Sequence, residues 1–139
     1  MSANYKELVE LQKQIQQLEQ YDIDNFTREA TNEIAQRLFA KAVKRTPVGQ
    51  YPKGSGKVGG TLRRGWVMTK VKQVADGYEV QVINPTEYSS FVEFGHRTRN
   101  HKGWVEGRFM LTKSELEIES EMPKIIERKL TKFLQDKLK

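Results

Sequence analysis

The strongest constraint on this chain is a helical stripe that runs into a proline. Phe26, Ala30, Ile34, Leu38 and Ala42 recur every four residues, and Ala35, Phe39 and Val43 widen the stripe. That period places them on one side of an α-helix. Asp24 or Asn25 offers an N-cap, and the helix must stop before Pro47, because a residue preceding proline avoids helical backbone angles. Residues 24–45 are therefore expected to form the central core helix.

What lies on either side differs in period. Upstream, Leu8, Leu11, Ile15 and Leu18 are spaced three, four and three within Tyr5 to Gln20, which predicts a helix with one apolar seam. Two heptads fall short of a coiled coil, so the seam is expected to pack on the domain or on a neighbouring subunit. Tyr21 to Asp24 is expected to break this helix. Downstream, Thr46 to Gly60 holds Pro47, Pro52 and five glycines, the composition of an exposed loop.

Beyond the loop the pattern turns to strands. Trp66 to Val74 alternates, Asp76-Gly77 is a hairpin turn signal, and Tyr78, Val80 and Val82 alternate again. Asn84-Pro85 ends that strand. Tyr88 to Gly95 is a further apolar-rich run, with Tyr88, Phe91 and Phe94 expected to be buried, and His96 to Gly103 a basic loop. Arg108 to Leu111 reads as a short extended piece. Ser114 opens a last helix, with Glu115, Glu117 and Glu119 near its positive end and Pro123 expected to kink or divide it. Ile126, Leu130, Phe133, Leu134 and Leu138 form its apolar face. The whole predicts one α+β domain over 1–139. It has an N-terminal helix (1–22), a core helix (24–45), a long glycine-rich loop (46–60), a small antiparallel sheet (61–112) and a C-terminal helix (114–139).

Composition removes several function classes. With no cysteine there are no disulfides, thiol nucleophiles or cysteine metal knuckles. No apolar run approaches the length of a membrane span, and Met1 to Glu19 lacks the apolar core of a signal peptide. Action in a cytoplasm, or in something assembled there, is expected. The net charge of +6 is not spread evenly. Residues 1–45 carry seven basic and seven acidic side chains, and 114–139 carry six and six. Residues 46–113 carry eleven basic and five acidic, and so the whole excess. Such a region attracts phosphates or acidic protein surfaces, or merely solvates loops.

Several tempting motifs fail on context. Gly54-Ser55-Gly56-Lys57-Val58-Gly59 fits the spacing of a dinucleotide fingerprint, but prolines rather than a strand precede it and a strand rather than a helix follows. The phosphate-loop pattern fails as well, since Gly56-Lys57 is followed by Val58. Glu93, His96 and His101 are too few and too scattered for zinc, with Arg97, Arg99 and Lys102 repelling a cation. No cofactor, metal or small-molecule substrate is expected, and no catalytic residues are assigned. Trp66 is expected to face the sheet core. Trp104, between Lys102 and Arg108, is the better surface candidate, and a protein-interface anchor is favoured over a base-stacking platform.

Two segments carry a recognisable pattern. Thr46-Pro47-Val48, a glycine loop and Gly60-Thr61-Leu62-Arg63-Arg64-Gly65-Trp66 form the first. Asn84-Pro85, Tyr88 and Phe91-Val92-Glu93-Phe94-Gly95-His96-Arg97-Thr98 form the second, and Arg108-Phe109-Met110-Leu111 follows before the last helix. Together they resemble the tail-completion, or head–tail joining, proteins of long-tailed phages, often named after gene product ten of a lambdoid phage. The loop from Gly49 to Gly59 is longer than is usual there, and Ser89 and Ser90 stand where alanine is usual. The resemblance implies an α+β fold, no catalysis and a place in the virion, at the neck or tail. It also implies assembly as a homo-oligomeric ring, a hexamer being favoured. Partners would be the tail terminator, the tail tube and the head connector, with DNA in the channel a further contact and no membrane.

The assembly candidates are Arg63, Arg64, Trp66, Tyr88, Glu93, Arg97, Arg99, Lys102, Trp104 and Arg108. Arg63 and Arg64 are expected to stay exposed, and Glu93 to pair with an arginine of its own subunit or the next. A small basic nucleic-acid-binding protein is the alternative, although no helix-turn-helix is apparent. A toxin or nuclease would need carboxylate clusters or histidines that the chain does not display.

Overall fold

The computed structural model describes residues 2–16, 19–49, 54–56 and 59–137. Leu18, Pro52, Lys57, Val58 and Leu138, each used in the sequence reading, lie outside the described residues. The architecture is α+β, as the sequence predicts. Helices α1 (Ser2–Gln16) and α2 (Gln20–Arg45) lead into a loop and a single turn, α3 (Thr61–Arg64). Strands β1 (Val67–Met68), β2 (Lys72–Val74), β3 (Gly77–Glu79) and β4 (Val82–Ile83) follow. A short helix α4 (Ser89–Phe94), strands β5 (Gly95–Arg97) and β6 (Trp104–Glu106), and a long helix α5 (Met110–Lys137) complete the chain.

The frame is α2 packed antiparallel on α5. Its contacts run in opposite order along the two helices. Lys137 reaches Asp22, Phe133 stacks on Phe26 at 4.9 Å between centroids, Lys129 pairs with Glu33, and Glu117 meets Lys41 and Arg45. The predicted stripe of α2 faces this way: Ala30, Ala35 and Ala42 are buried, and Ile34, Leu38 and Phe39 half-buried. Ala42 packs against Leu62, Trp66 and Met110, and strands of the first hairpin cover α2 as well.

The strands form three two-stranded antiparallel ladders rather than one sheet. The first two are one bent hairpin closed at Asp76-Gly77, with Val74 opposite Gly77 and Val67 opposite Ile83. Trp66 to Val74 is not a continuous strand, as its alternation predicts, because the Thr69 hydroxyl accepts the Gln81 N–H at 2.8 Å where a ladder carbonyl would. The third ladder, β5–β6, is a separate hairpin that packs mainly on α4.

Other elements also depart from the sequence reading. Helix α2 begins at Gln20, so Tyr21 to Asp24 forms its first turn, where Asp22 favours the positive helix end. Thr61 to Arg64 is helical instead of extended. Tyr88 to Gly95 is mostly helix, because Asn84 starts a turn: its side-chain oxygen accepts from the Thr86 N–H and its carbonyl from the Ser89 hydroxyl. Helix α5 starts at Met110 rather than Ser114, absorbing the piece predicted to be extended. It continues through Pro123, which lies on its exposed side. Its buried face is Ile118 and Ile125 with half-buried Met122, Phe133 and Leu134, while Ile126 and Leu130 point outward.

The core gathers at the C-terminal end of α2, where Ala42, Leu62, Trp66 and Met110 meet, flanked by Phe39, Val43, Val82, Val92 and Leu111. Thr46 sits at its centre with 0% exposure. Its hydroxyl donates to the Ala42 carbonyl and accepts the Trp66 indole N–H, both at 2.6 Å. Its own carbonyl accepts from Arg63 at 2.7 Å. Every polar group of Thr46 is thereby satisfied, which burial requires.

Two predictions follow from this packing. Replacing Thr46 with Val keeps the volume but strips the indole N–H of its acceptor, at a cost of about 1–3 kcal/mol, to be read by urea unfolding. Hydrogen bonds from Arg45 and then Lys41 hold the Glu117 carboxyl at about 2, against an ordinary 4.5. A depressed carboxyl stabilises the fold above its unfolded pKa, and that contribution is lost as pH falls from about 4.5 towards 2. Glu117→Gln should flatten this part of the acid-unfolding curve.

Candidate assembly surface

The two sequence motifs meet in space, and most of their residues turn inward. Arg63, expected to be exposed, is half-buried and folds back to donate to the carbonyls of Thr46 and Lys44. It thus satisfies the free carbonyls that a helix end leaves. Arg64 is exposed, as predicted, and reaches only the Gly59 carbonyl. Trp66 is buried, with its indole N–H taken by Thr46. The Asn84 side chain donates to the Leu62 carbonyl at 2.8 Å, tying the second motif to the first.

Glu93 departs furthest from expectation. It is buried, at 7% exposure, and among the described residues it forms no ion pair with an arginine. Its carboxylate accepts the backbone N–H groups of Leu111 at 2.8 Å and Thr112 at 3.2 Å. These are free donors in the first turn of α5, and a negative charge there also suits the helix dipole. Glu93 is thus a cap supplied from another helix. The clamp continues through the backbone: Arg108 N–H donates to the Val92 carbonyl and Phe109 N–H to the Glu93 carbonyl. Phe109 takes a positive φ of 48°, a strained setting for a bulky residue. Gly107 sits so close that a Cβ there would fall 2.5 Å from the Glu93 carbonyl oxygen.

Inward Glu93 and Val92 leave the other face of α4 outside. Tyr88, Phe91 and Phe94, three residues apart, are exposed rather than buried, Phe94 at 62%. Phe94 touches Phe109 edge-on, and Phe91 leans on His96. The chain then turns at Gly95, whose φ of +89° a side chain would strain, into the β5–β6 hairpin.

This hairpin is an ordered arm. Its loop is closed by Thr98 N–H to the Gly103 carbonyl and by Gly103 N–H back to the Thr98 hydroxyl, both at 3.0 Å. The Asn100 side chain bonds the Thr98 hydroxyl and the Lys102 N–H. The arm displays Arg97, Arg99, Lys102 and Trp104, the last 56% exposed, and Arg108 emerges at its base. Among the described residues none of these four cations joins an ion pair. Of the predicted candidates the fold thus gathers Tyr88, Arg97, Arg99, Lys102, Trp104 and Arg108 around α4 and the arm. Arg63, Trp66 and Glu93 are spent on holding the structure.

Among the described residues no cluster of three or more His, Asp or Glu could hold a metal ion, and no helix is long and apolar enough to cross a membrane. An open recess of about 470 Å³ lies beside Lys41, Lys44, Arg45 and Glu117. Two of its cations are already neutralised by Glu117.

The sequence model of the family described as "Bacteriophage HK97-gp10, putative tail-component" matches residues 9–95. The chain belongs to this family. It is accordingly a bacteriophage structural protein of the tail, whose partners are other phage proteins. Comparison with curated proteins and with solved structures gives no match. The matched span holds the first motif together with Asn84 and Glu93, and it ends at Gly95, inside the second motif and just before the basic loop of the arm.

Two further apolar surfaces stand exposed: the α1 seam, which the sequence expects to pack on the domain or on a neighbouring subunit, and the outward side of α5, which holds Ile126 and Leu130 of the predicted apolar face. On α1 the seam of Leu8, Leu11 and Ile15 is exposed, with Leu8 at 64%. On α5 the outward side carries Leu116, Ile126 and Leu130. The seventh-residue spacing of Leu116, Pro123 and Leu130 is a usable signal for the second. Replacing Glu93 with Ala should leave the Leu111 and Thr112 N–H groups without this acceptor and a strained Phe109 without support. Stability should fall by about 1–3 kcal/mol, and amide exchange at Leu111 and Thr112 should speed up before α2 is affected. Unchanged protection there would show that the cap is not holding α5.

Proposed function

We propose that this tail component completes the tail and joins it to the head at the neck. In that reading it sits in the virion as a homo-oligomeric ring, a hexamer being favoured, between the tail tube with its terminator and the head connector. The supporting observation is the basic arm: four cations that join no ion pair among the described residues and an exposed tryptophan, carried on a capped, clamped base. An arm whose charges are left unpaired is suited to meeting a partner, and Trp and Arg are the side chains that most often dominate protein interfaces. Its chemistry is recognition and assembly.

The same cations favour a second reading, in which the arm meets the phosphates of DNA. The two differ in solution. If Arg97, Arg99, Lys102 and Arg108 each neutralise a phosphate, log affinity for duplex DNA should fall with log salt at a slope of about −3 to −4. Assembly through protein contacts predicts no such specific binding by the isolated chain.

Deletion of the gene from its phage is the decisive test of the first reading. Electron microscopy of the lysate should show full heads and finished tails lying apart. Normal intact virions would sink the joining role. Complementation with Trp104→Ala should lower the yield of joined particles at unchanged protein solubility.

A further inference from the structure

We infer that copies of this chain associate head-to-tail, the β5–β6 arm of one copy docking on the outward face of α5 in the next. The inference rests on the assembly reading above and adds the two surfaces through which it occurs. Its first support is charge. The arm and its base present Arg97, Arg99, Lys102 and Arg108, all exposed. The outward side of α5 presents Glu115, Glu119 and Glu127, also exposed, around Leu116. None of these seven groups joins an ion pair among the described residues. Elsewhere on the same helix Glu117, Glu121, Lys129 and Lys137 are all paired across to α2. Glu117 and Glu121, which face α2, are paired, whereas Glu115, Glu119 and Glu127 join no ion pair among the described residues.

Apolar surface gives the second support. Leu116, at 61% exposure, and Leu130 lie on the outward side of α5, with Pro123 between them. Trp104, Val105 and Phe94 are exposed on the arm and its base. Two apolar strips, one rimmed by cations and the other by carboxylates, meet the requirements of a common interface: a dry centre and a complementary rim. Lys113 and Lys124 lie along one flank of the acidic side and set the direction from which a cationic arm can approach. An isolated two-stranded hairpin is marginal in water, so covering the arm also stabilises it. Because the two patches differ, the contact is heterologous, and each copy keeps one patch free for the next. Such a contact closes into a ring or extends, according to the rotation it imposes.

Charge reversal on the full-length chain tests this. The unaltered protein should associate in sedimentation velocity at low salt, and added salt should weaken that association. One variant carries Arg99→Glu with Lys102→Glu, the other Glu115→Lys with Glu119→Lys. Each alone should need about tenfold or more higher concentration to associate. Mixed in equal amounts they should co-assemble, since the reversed arm then meets the reversed helix. Circular dichroism verifies that both are folded, and the milder Arg99→Ala and Glu119→Ala serve if a reversal disturbs folding. A protein that stays monomeric, an association that survives both reversals, or folded variants that fail to rescue each other would each overturn the interface. A monomer that binds duplex DNA, and loses it only in the arm variant, would assign the arm to DNA. These outcomes are read on purified protein, so joining activity in the phage without this association would discard the interface and leave the neck reading standing.

Discussion

The Thr46 hydroxyl is the point on which the rest of the structure depends. One oxygen serves two demands: it closes the last turn of α2 by donating to Ala42, and it accepts the N–H of the buried Trp66 indole. A tryptophan brings a large apolar area into the core, but its N–H must find a partner there. Without Thr46 the core would either expose Trp66 or bury an unmet donor. With it, the chain leaving α2 and the chain re-entering the core after the glycine loop are held together, however that loop runs. Arg63 then bonds the Thr46 carbonyl and Asn84 bonds the Leu62 carbonyl, so the first hairpin is fastened to the same point.

Glu93 does for α5 what Thr46 does for α2. A carboxylate from α4 finishes the start of another helix, and so fixes the direction in which α5 leaves the core. It also fixes α4, because a buried charge has little freedom to move away from the donors that satisfy it. With α4 immobile, Gly95 launches the arm in a defined direction. The exposed residues of the arm are therefore positioned by buried ones far from its tip, and an assembly surface on a hairpin gains the precision of a helix-borne site.

How far the sequence reveals this depends on whether each partner is local. The stripe from Phe26 to Ala42, its stop before Pro47 and the turn at Asp76-Gly77 are settled by neighbouring residues, and the structure contains them. Tyr88 to Gly95 misleads, because Tyr88, Phe91 and Phe94 suit a buried run as well as an exposed helical face. What decides is the burial of Glu93 and Val92 on the opposite side, which needs α5. The start of α5 at Met110 is equally illegible: no cap residue stands before it in the sequence, because the cap is Glu93, a sequence distance of 18 away. Arg63 reads as a surface cation until the end of α2 is known to lie beside it. For the assembly candidates the same limit applies, since burial separates the structural residues Arg63, Trp66 and Glu93 from the displayed Arg99, Lys102 and Trp104.

That separation bears on how a family of this kind can keep its fold and vary its contacts. Thr46, Arg63 and Trp66 are bound to one another through specific hydrogen bonds, Asn84 is bound to the Leu62 carbonyl and Glu93 to the first turn of α5, so a change at any of them leaves a polar group unmet. The arm tip and the outward face of α5 have no such ties: their side chains are exposed, and their charges are unpaired within the described chain. Substitutions there alter what the protein meets without altering how it folds. The family span, residues 9–95, thus covers Thr46, Arg63, Trp66, Asn84 and Glu93, whereas the arm tip and the outward face of α5 lie beyond it.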